Sequence, residues 1–380
     1  MHHLSLNDLP TPAALIEETR LQHNIQRLQQ RIDTLGVRLR PHVKTAKCVA
    51  VAQRQQAAGA VGITVSTMKE AEVFFAAGFS DILYAVCITP NKLAAAQALR
   101  ERGCALTVLV DSVAAAQAIV ATGHPSPVMI EIDTDGHRAG VLPDADLLLD
   151  IGRTLHAGGA VLQGVMTHAG ASYECHTPES LQAMAEQERS RCVQAAERLR
   201  AAGLPCLEVS VGSTPTALSA QTLQGVTEVR AGVYVLQDLV MHGVGVCRTD
   251  EIALSVLCTV IGHQLDKGWV LVDAGWMAMS RDRGTQAQAV DFGYGAVCDD
   301  GGALIPGLVM ASANQEHGIV AWRDGHVGAA ASANLAQRFP IGSRLRVLPN
   351  HACATAAQFP AYTVLKADGG IEHWPRFHGW

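Results

Sequence analysis

Residues 39–47 read LRPHVKTAK, and this stretch places a lysine at the end of a short β-like run, just where a helical pattern begins. A lysine held at such a point, Lys44, is able to form a Schiff base with a carbonyl compound. Amines attack carbonyls only when deprotonated, so a reactive lysine needs partial burial or nearby positive charge, which His42 and Lys47 are placed to supply. The alternative from the residues alone is a solvated surface lysine.

Short apolar, β-branched runs recur from this stretch onward, separated by helix-like stretches rich in Ala, Leu, Gln and Arg. The strand candidates are residues 37–43, 62–66, 81–85, 106–110, 128–133, 162–168, 207–213 and 228–235. The helix candidates are residues 67–77, 91–102, 112–122, 145–156 and 178–202. Strands alternating with helices in this way predict a (β/α)8 barrel within residues 21–250.

A change of pattern near residue 253 indicates a second domain. Strands and turns with almost no amphipathic helix follow, which predicts a β-rich domain over residues 251–380. Its strand candidates are residues 253–262, 269–273, 318–322, 344–348 and 362–365. Residues 1–20 precede the alternating region, and we expect this N-terminal segment to pack with the β-rich domain.

Composition argues against several classes of function. The 380 residues are 48% hydrophobic and 4% aromatic, and a net charge of −6 is spread without long charged runs, so no track for nucleic acid is present. No apolar run reaches the roughly 18 residues of a membrane span. The polar start, residues 1–5, is not a secretory signal. Ten cysteines stand singly with no CxxC pair, which is typical of reduced core residues, and we expect a cytoplasmic protein.

The Arg-Pro-His-x-Lys-Thr-x-Lys pattern of residues 40–47 resembles the pyridoxal-phosphate motif of the D-serine dehydratase and D-threonine aldolase family, a metal-assisted branch of the alanine-racemase-like enzymes. The resemblance extends over nearly the whole chain. It implies a barrel that carries pyridoxal 5'-phosphate on Lys44, a C-terminal β domain with metal ligands, and a homodimer. Ala46 stands where the family usually has histidine, a departure that bears on the substrate.

A glycine and hydroxyl turn closes the seventh strand candidate. Gly212, Ser213 and Thr214 combine a residue that admits close backbone approach with a helix start that offers free N–H groups. The turn resembles the family's phosphate cradle. An ordinary helix N-cap is the alternative from the residues alone.

Other candidates stand where barrel strands are predicted to end, the edge at which such barrels build active sites. His168 is similar to a family histidine that lies against the cofactor ring, with Tyr173 nearby; a core histidine and a loop aromatic are the alternatives. Gly232 and Tyr234 resemble positions that help hold the cofactor phosphate, and a half-buried strand residue is the alternative for Tyr234. Arg138 has the planar fork that neutralises a carboxylate, and an ion pair with neighbouring aspartates is the competing interpretation. Tyr173 is also a candidate for substrate contact.

An imidazole and a thiol stand two positions apart at His351 and Cys353. On an extended segment this spacing points both side chains to one face, and two protein ligands leave room for water or substrate on a catalytic zinc. The pair alone is a weak signal. In the family, the dehydratases carry it while the aldolases tend to have aspartate at the position of Cys353. The resemblance therefore implies Zn2+ or another divalent metal and favours dehydration.

The activity implied by the resemblance is that of a lyase that removes water from a small D-3-hydroxy amino acid, with a 2-oxo acid and ammonia as the net products. Residues 62–67, 352–360 and 378–380 look closest to the branch of the family that acts on 3-hydroxyaspartate. Dehydration of D-serine is the nearest alternative, and aldol cleavage of D-threonine is less favoured because of Cys353. A non-catalytic pyridoxal-phosphate carrier is the alternative from another class, and the C-terminal metal pair argues against it.

Overall fold

The computed structural model describes residues 6–323 and 334–380, which fall into two compact units. One unit comprises Ile25–Gly232 with Gly379–Trp380, and the other comprises the described residues up to Asn24 and those of Val233–His378. The polar start at residues 1–5 lies outside the described residues. The domain limits at residues 1–20, 21–250 and 251–380 stay predictions. None of the helices in the described part of the chain is long and apolar enough to cross a membrane.

Eight parallel strands form the sheet of the first unit. After β1 (Ala13–Glu17), which belongs to the other unit, they are β2 (Arg38–Leu39), β3 (Ile63–Val65), β4 (Asp81–Cys87), β5 (Ala105–Val110), β6 (Pro127–Glu131), β7 (Val161–Met166), β8 (Glu208–Val211) and β9 (Glu228–Val229). They pair in the order β2-β9-β8-β7-β6-β5-β4-β3. The backbone N–H of Val43 donates to the carbonyl of Thr64 at 3.0 Å, which joins the two ends of the sheet. The predicted (β/α)8 architecture is confirmed.

Helices alternate with these strands, and five of the eight correspond to the helix candidates of the sequence. They are α1 (Glu18–Thr34), α2 (Val49–Ala57), α3 (Met68–Ala76), α4 (Pro90–Glu101), α5 (Val113–Val120), α6 (Asp146–Ala157), α7 (Pro178–Ala201) and α8 (Thr214–Ser219). Several begin at a hydroxyl residue whose side chain accepts a backbone N–H three positions ahead, as Thr67, Ser112 and Thr177 do. Such caps satisfy N–H groups that have no partner within the helix.

A nine-stranded sheet forms the second unit. Besides β1, its strands are β10 (Leu254–Gln264), β11 (Trp269–Val272), β12 (Gly295–Cys298), β13 (Leu304–Ala313), β14 (Gly318–Trp322), β15 (Arg344–Pro349), β16 (Ala361–Leu365) and β17 (Ile371–Pro375). Their order is β11-β14-β13-β12-β15-β10-β1-β16-β17, and β11 also pairs with β10, so six strands close into a ring. All the pairings are antiparallel except that of β1 with β16.

The β-rich character of the second unit is confirmed, although four of its strands were not among the predicted ones. β13 contains Pro306 and Gly307, which read as turn residues in sequence, and β17 ends at Pro375. β1 and β12 are only five and four residues long, too short for a strand pattern to stand out in the sequence. The described residues of this unit also form short helices: α9 (Leu239–Val244), α10 (Trp276–Met279), α11 (Leu335–Arg338) and α12 (Ala352–Ala356).

Candidate active site

Lys44 lies in the turn that follows β2, and its side chain is exposed. The turn is closed by a bond from the Lys47 N–H to the Val43 carbonyl at 2.9 Å, and Lys47 itself has a positive φ of 44°. The ammonium of Lys47 lies 3.1 Å from Oε1 of Glu70, a buried carboxylate that also accepts the Ser66 N–H at 2.8 Å. The second lysine of the motif therefore anchors the turn to the start of α3.

The prediction that His42 and Lys47 supply positive charge beside Lys44 was wrong. The charge of Lys47 is compensated by Glu70. Burial, followed by the charges of Lys44 and Arg230, holds the pKa of His42 well below its usual value, so the His42 imidazole is neutral at pH 7. A buried imidazole among cations avoids protonation, because a further charge would be neither solvated nor paired. Positive charge near Lys44 and His42 comes instead from Arg138 and Arg230, which follow later strands of the barrel.

His168 lies two residues after β7, half-buried, with Nδ1 3.0 Å from the carbonyl oxygen of Gly212. Burial lowers the pKa of His168 to about 3; the Gly212 bond acts in the opposite direction, and the charges of Lys44 and Arg138 add to the lowering. Because a carbonyl only accepts, Nδ1 carries the proton and Nε2 keeps its lone pair. The ring of Tyr173 lies 6.2 Å away, centroid to centroid. The structure thus brings Lys44, His42, His168 and Tyr173 together.

Gly212 and its neighbours form a tightly bonded turn. Gly212 has a φ of +133°, and a Cβ there would stand 2.2 Å from the Arg230 carbonyl oxygen. Its N–H donates to the buried carboxylate of Glu188 at 3.0 Å. Ser213 caps α8 by accepting the Thr216 N–H at 3.2 Å, and its hydroxyl lies 2.8 Å from that of Ser172. The N-cap interpretation is confirmed for Ser213, while the phosphate role of residues 212–214 stays a prediction.

Gly232 and Tyr234 differ in their surroundings. A Cβ at Gly232 would meet the His42 carbonyl oxygen and the Thr45 hydroxyl, each at 3.1 Å, so glycine lets this backbone lie against the Lys44 turn. Tyr234 is buried in a 3-10 turn, Val233–Val235, and belongs to the other compact unit. Its role in holding a phosphate stays a prediction.

Arg138 is half exposed and approaches Glu131 at 3.9 Å. The competing interpretation of Arg138, an ion pair with the neighbouring aspartates, was wrong, since Asp133 and Asp135 instead accept backbone N–H groups of their own turn. Glu131 also accepts a hydrogen bond from the Cys87 thiol at 3.2 Å. In the described part of the chain, Cys87, Asp111 and Glu131 form a group of three possible metal ligands within 4.8 Å of one another. Sequence reasoning missed this group, which lies where β4, β5 and β6 end.

His351 and Cys353 lie at the start of α12, in the second unit. His351 is the N-cap residue and Cys353 stands in the first turn of the helix, so the expected extended segment was wrong. Burial lowers the pKa of His351, but hydrogen bonds with Asp282 and Cys353, together with the charges of Cys353 and Asp238, raise it to about 11. A helical start still brings the imidazole and the thiol within hydrogen-bonding reach of each other.

Asp282 is the main partner of His351 that sequence reasoning missed. Its Oδ2 lies 2.6 Å from Nδ1 of His351. The bond to His351 holds the pKa of Asp282 below its ordinary value. A carboxylate on one ring nitrogen leaves the other nitrogen for a metal and fixes the orientation of the ring. The only sequence signal was the charged Arg281-Asp282-Arg283 cluster, which reads as solvated loop charge.

Asp238 and Asn350 fix the backbone around the pair. Asp238 is buried, caps α9 through the Met241 N–H, and accepts the Ala352 N–H at 2.9 Å with its other oxygen. Asn350 donates to the carbonyls of Gly293 at 2.7 Å and Asp282 at 3.3 Å. The loop that carries Asp282 and the helix that carries Cys353 are therefore held by shared hydrogen bonds.

Two family models together match most of the chain. The one described as "Alanine racemase, N-terminal domain" matches residues 16–239, more than half of the protein, and the one described as "Putative serine dehydratase domain" matches residues 253–365. The chain therefore belongs to the alanine racemase-like family, in the form whose barrel is followed by a serine dehydratase-type domain.

Among individual relatives, the D-threo-3-hydroxyaspartate dehydratase of Delftia sp. (strain HT23) is 66% identical over 381 residues, 99% of each chain. Its solved structure superposes with a TM-score of 0.97 and 65% identity, covering 99% of this chain and 100% of that one. A C353A mutant of such a dehydratase, solved in the metal-free form, gives the same TM-score, identity and coverage. The D-serine dehydratase of Dictyostelium discoideum is 30% identical over 404 residues, 97% of this chain and 98% of that one.

Proposed function

We propose that the protein is a lyase that removes water from D-threo-3-hydroxyaspartate, with oxaloacetate and ammonia as the net products. Pyridoxal 5'-phosphate and a divalent metal, Zn2+ in the first instance, are its proposed cofactors. Identity of 66% to a dehydratase of that specificity, over 99% of both chains, supports the choice of substrate. The 30% identity to a D-serine dehydratase supports the reaction type more broadly.

The residues around Lys44 fit pyridoxal phosphate. Lys44 is exposed on a turn whose other residues are mostly buried, so its amine is accessible to an aldehyde. Two neutral imidazoles, His42 and His168, share their surroundings with Lys44, Arg138 and Arg230. Such a cationic setting suits an anionic cofactor and substrate carboxylates. When bound, pyridoxal phosphate supplies an electron sink for the pair left on the α carbon.

Within this proposal Lys44 would carry the cofactor, and its amine, when free, would accept the α proton of the substrate on Nζ. The neutral His168 ring, with its proton on Nδ1 by virtue of the Gly212 carbonyl, offers a flat surface and adds no positive charge. Tyr173 stands beside it. Arg138 binds a substrate carboxylate. Gly212, Ser213, Thr214, Gly232 and Tyr234 remain the proposed phosphate contacts.

The observation that carries the dehydratase assignment is the arrangement of His351, held by Asp282 and within reach of the Cys353 thiol. One imidazole and one thiolate form a donor set that suits zinc and leaves positions for a substrate oxygen. His351 and Cys353 would hold the metal, whose Lewis acidity makes the β-hydroxyl a better leaving group. The metal-free form solved for the C353A mutant of the related dehydratase supports this choice, since this chain also has cysteine at position 353.

The proposal extends to assembly and location. The family resemblance of the motif at residues 40–47 implies a homodimer. A cytoplasmic location agrees with ten cysteines of which none forms a disulfide in the structure. Light scattering on the purified protein measures the mass directly, and a species of one chain at working concentration would contradict the dimer.

Side-by-side assays with three D-amino acids test the proposal. D-threo-3-hydroxyaspartate, D-serine and D-threonine are each supplied to the purified protein, and oxaloacetate, pyruvate, glycine and ammonia are measured. We expect oxaloacetate and ammonia at rates well above those of the other products. Lys44→Ala should abolish turnover, while Lys69→Ala, at an exposed lysine of the same unit, should not. Preference for D-serine would change the substrate, and glycine formation or no turnover would overturn the dehydratase assignment.

A further inference from the structure

Residues 279–282 form a loop that is tied at both ends to the helix carrying Cys353. At one end the Thr355 hydroxyl donates to the Met279 carbonyl at 2.8 Å. At the other end Asp282 lies 2.6 Å from Nδ1 of His351. Ser280, with a positive φ of 73°, turns the chain between these anchors. Arg281 is the residue between Ser280 and Asp282, so its backbone is held close to the proposed metal ligands.

The guanidinium of Arg281 is exposed and stacks on the Trp276 ring, 4.8 Å from its centroid. Among residues 6–323 and 334–380, no carboxylate forms an ion pair with it. Its neighbour Arg283 differs, since that guanidinium lies 2.8 Å from a carboxylate oxygen of Asp291. Stacking on an aromatic ring restricts an arginine fork while leaving its N–H groups available. Within the described residues, Arg281 is thus a cation without an ion-pair partner, restrained by Trp276 and carried on the loop that holds Asp282.

We propose that Arg281 binds the second carboxylate of the substrate and thereby selects dicarboxylic 3-hydroxy amino acids. This inference rests on the proposed function. In 3-hydroxyaspartate the second carboxylate is attached to the carbon that bears the hydroxyl group. A metal held by His351 and Cys353 would bind that hydroxyl, so the carboxylate must find its cationic partner near the same residues. The arginine fork matches a carboxylate with two parallel hydrogen bonds.

Binding of two amino acids that cannot lose water tests this role without turnover. D-aspartate has the second carboxylate and D-alanine lacks it, and the absorbance of the bound cofactor reports the dissociation constant of each. In Arg281→Met we expect the ratio of the D-aspartate constant to the D-alanine constant to rise at least about tenfold, as expected from hydrogen bonds between charged groups. The ratio measured for Arg281→Lys should lie between those of the parent and of Arg281→Met, because lysine keeps the positive charge but lacks the planar fork.

Arg338→Met is the matched control, since Arg338 also stacks on a tryptophan, Trp322, at 5.3 Å. It should leave the ratio unchanged, and metal content should equal that of the parent protein in every variant. The role of Arg281 would be overturned if Arg281→Met bound both amino acids as well as the parent does, or if it lost affinity for both to the same extent. The proposed function would be refuted separately if the parent protein bound D-aspartate tightly but released no oxaloacetate from D-threo-3-hydroxyaspartate.

Discussion

The ammonium nitrogen of Lys47 lies 3.1 Å from Oε1 of Glu70, whose carboxylate has no exposed surface. Glu70 stands in the first turn of α3, where its N–H bonds to the capping hydroxyl of Thr67 and its other oxygen accepts the Ser66 N–H. One carboxylate therefore joins the start of a helix to the turn that presents Lys44. Lys47, the second lysine of the motif, therefore has a structural role, whereas the sequence predicted that it supplies positive charge beside Lys44.

Replacing Glu70 by glutamine keeps an acceptor for the Ser66 N–H but leaves the Lys47 ammonium largely buried without its counter-charge. Breaking a buried ion pair on one side costs about 3–5 kcal/mol, so we expect the unfolding free energy of the cofactor-free protein to fall by roughly that amount. Urea unfolding followed by circular dichroism measures it. Glu72→Gln, on the exposed face of the same helix, should change little. Equal stability of the two variants would show that the pair does not support the turn.

Replacing Asp282 by asparagine tests the support of the metal pair. Asparagine retains an oxygen for the Nδ1–H of His351 but removes the negative charge that makes the ring a stronger donor. Loss of such a partner typically weakens metal affinity about 10–100-fold, and we expect a zinc dissociation constant higher by that factor. Competition with a chromophoric chelator gives the constant.

The exposed Asp266, in the same unit, supplies the control variant Asp266→Asn, which should bind zinc as the parent does. Unchanged zinc affinity in Asp282→Asn would mean that the bond of 2.6 Å to His351 does not act on a metal. Weaker zinc binding in both variants would indicate that removing any negative charge from this unit lowers the zinc affinity.

The depressed pKa of His168 predicts a pH dependence of stability. The folded protein takes up a proton on this ring only near pH 3, whereas the ordinary pKa is 6.5. Below about pH 6.5 the unfolded chain binds the proton and the folded one does not. The contribution to stability is therefore complete above pH 6.5 and is lost progressively as the pH falls toward 3.

Urea unfolding of the cofactor-free protein at pH 7.5 and at pH 5 measures this loss. His168→Gln should show a smaller loss between the two pH values than the parent, because glutamine does not titrate. His156→Gln, at an exposed histidine of α6, should follow the parent. A loss of the same size in His168→Gln and in the parent would place the pH dependence on other groups, of which His42, depressed in the same direction, is the first.

Much of the barrel was predictable because its strands are buried on both faces and so appear as continuous apolar runs, such as ALTVLV in β5. The strands of the second unit were less predictable. β13 contains proline and glycine, and β1 joins its sheet by pairing with β10, a partner more than two hundred residues away. Local pattern carries no information about such pairing.

For the site, residues at strand ends could be predicted, whereas their carboxylate partners could not. Lys44 and His168 follow strand-like runs and belong to recognisable motifs. Asp282 is 69 residues from His351, and an isolated acid has no periodicity that reveals which distant ring it will meet. Glu70 and Glu131 were missed for the same reason. The position of Cys353 in a helix was missed because five residues, ACATA, are too few for a helical period to appear.

Release of oxaloacetate from D-threo-3-hydroxyaspartate by protein freed of metal, before and after zinc is restored, tests the central claim most directly. Coupling to the reduction of oxaloacetate follows the product continuously, and metal analysis verifies each state. We predict no release without metal, recovery with about one zinc per chain, and no recovery in His351→Ala. Undiminished oxaloacetate release by verified metal-free protein would contradict the account.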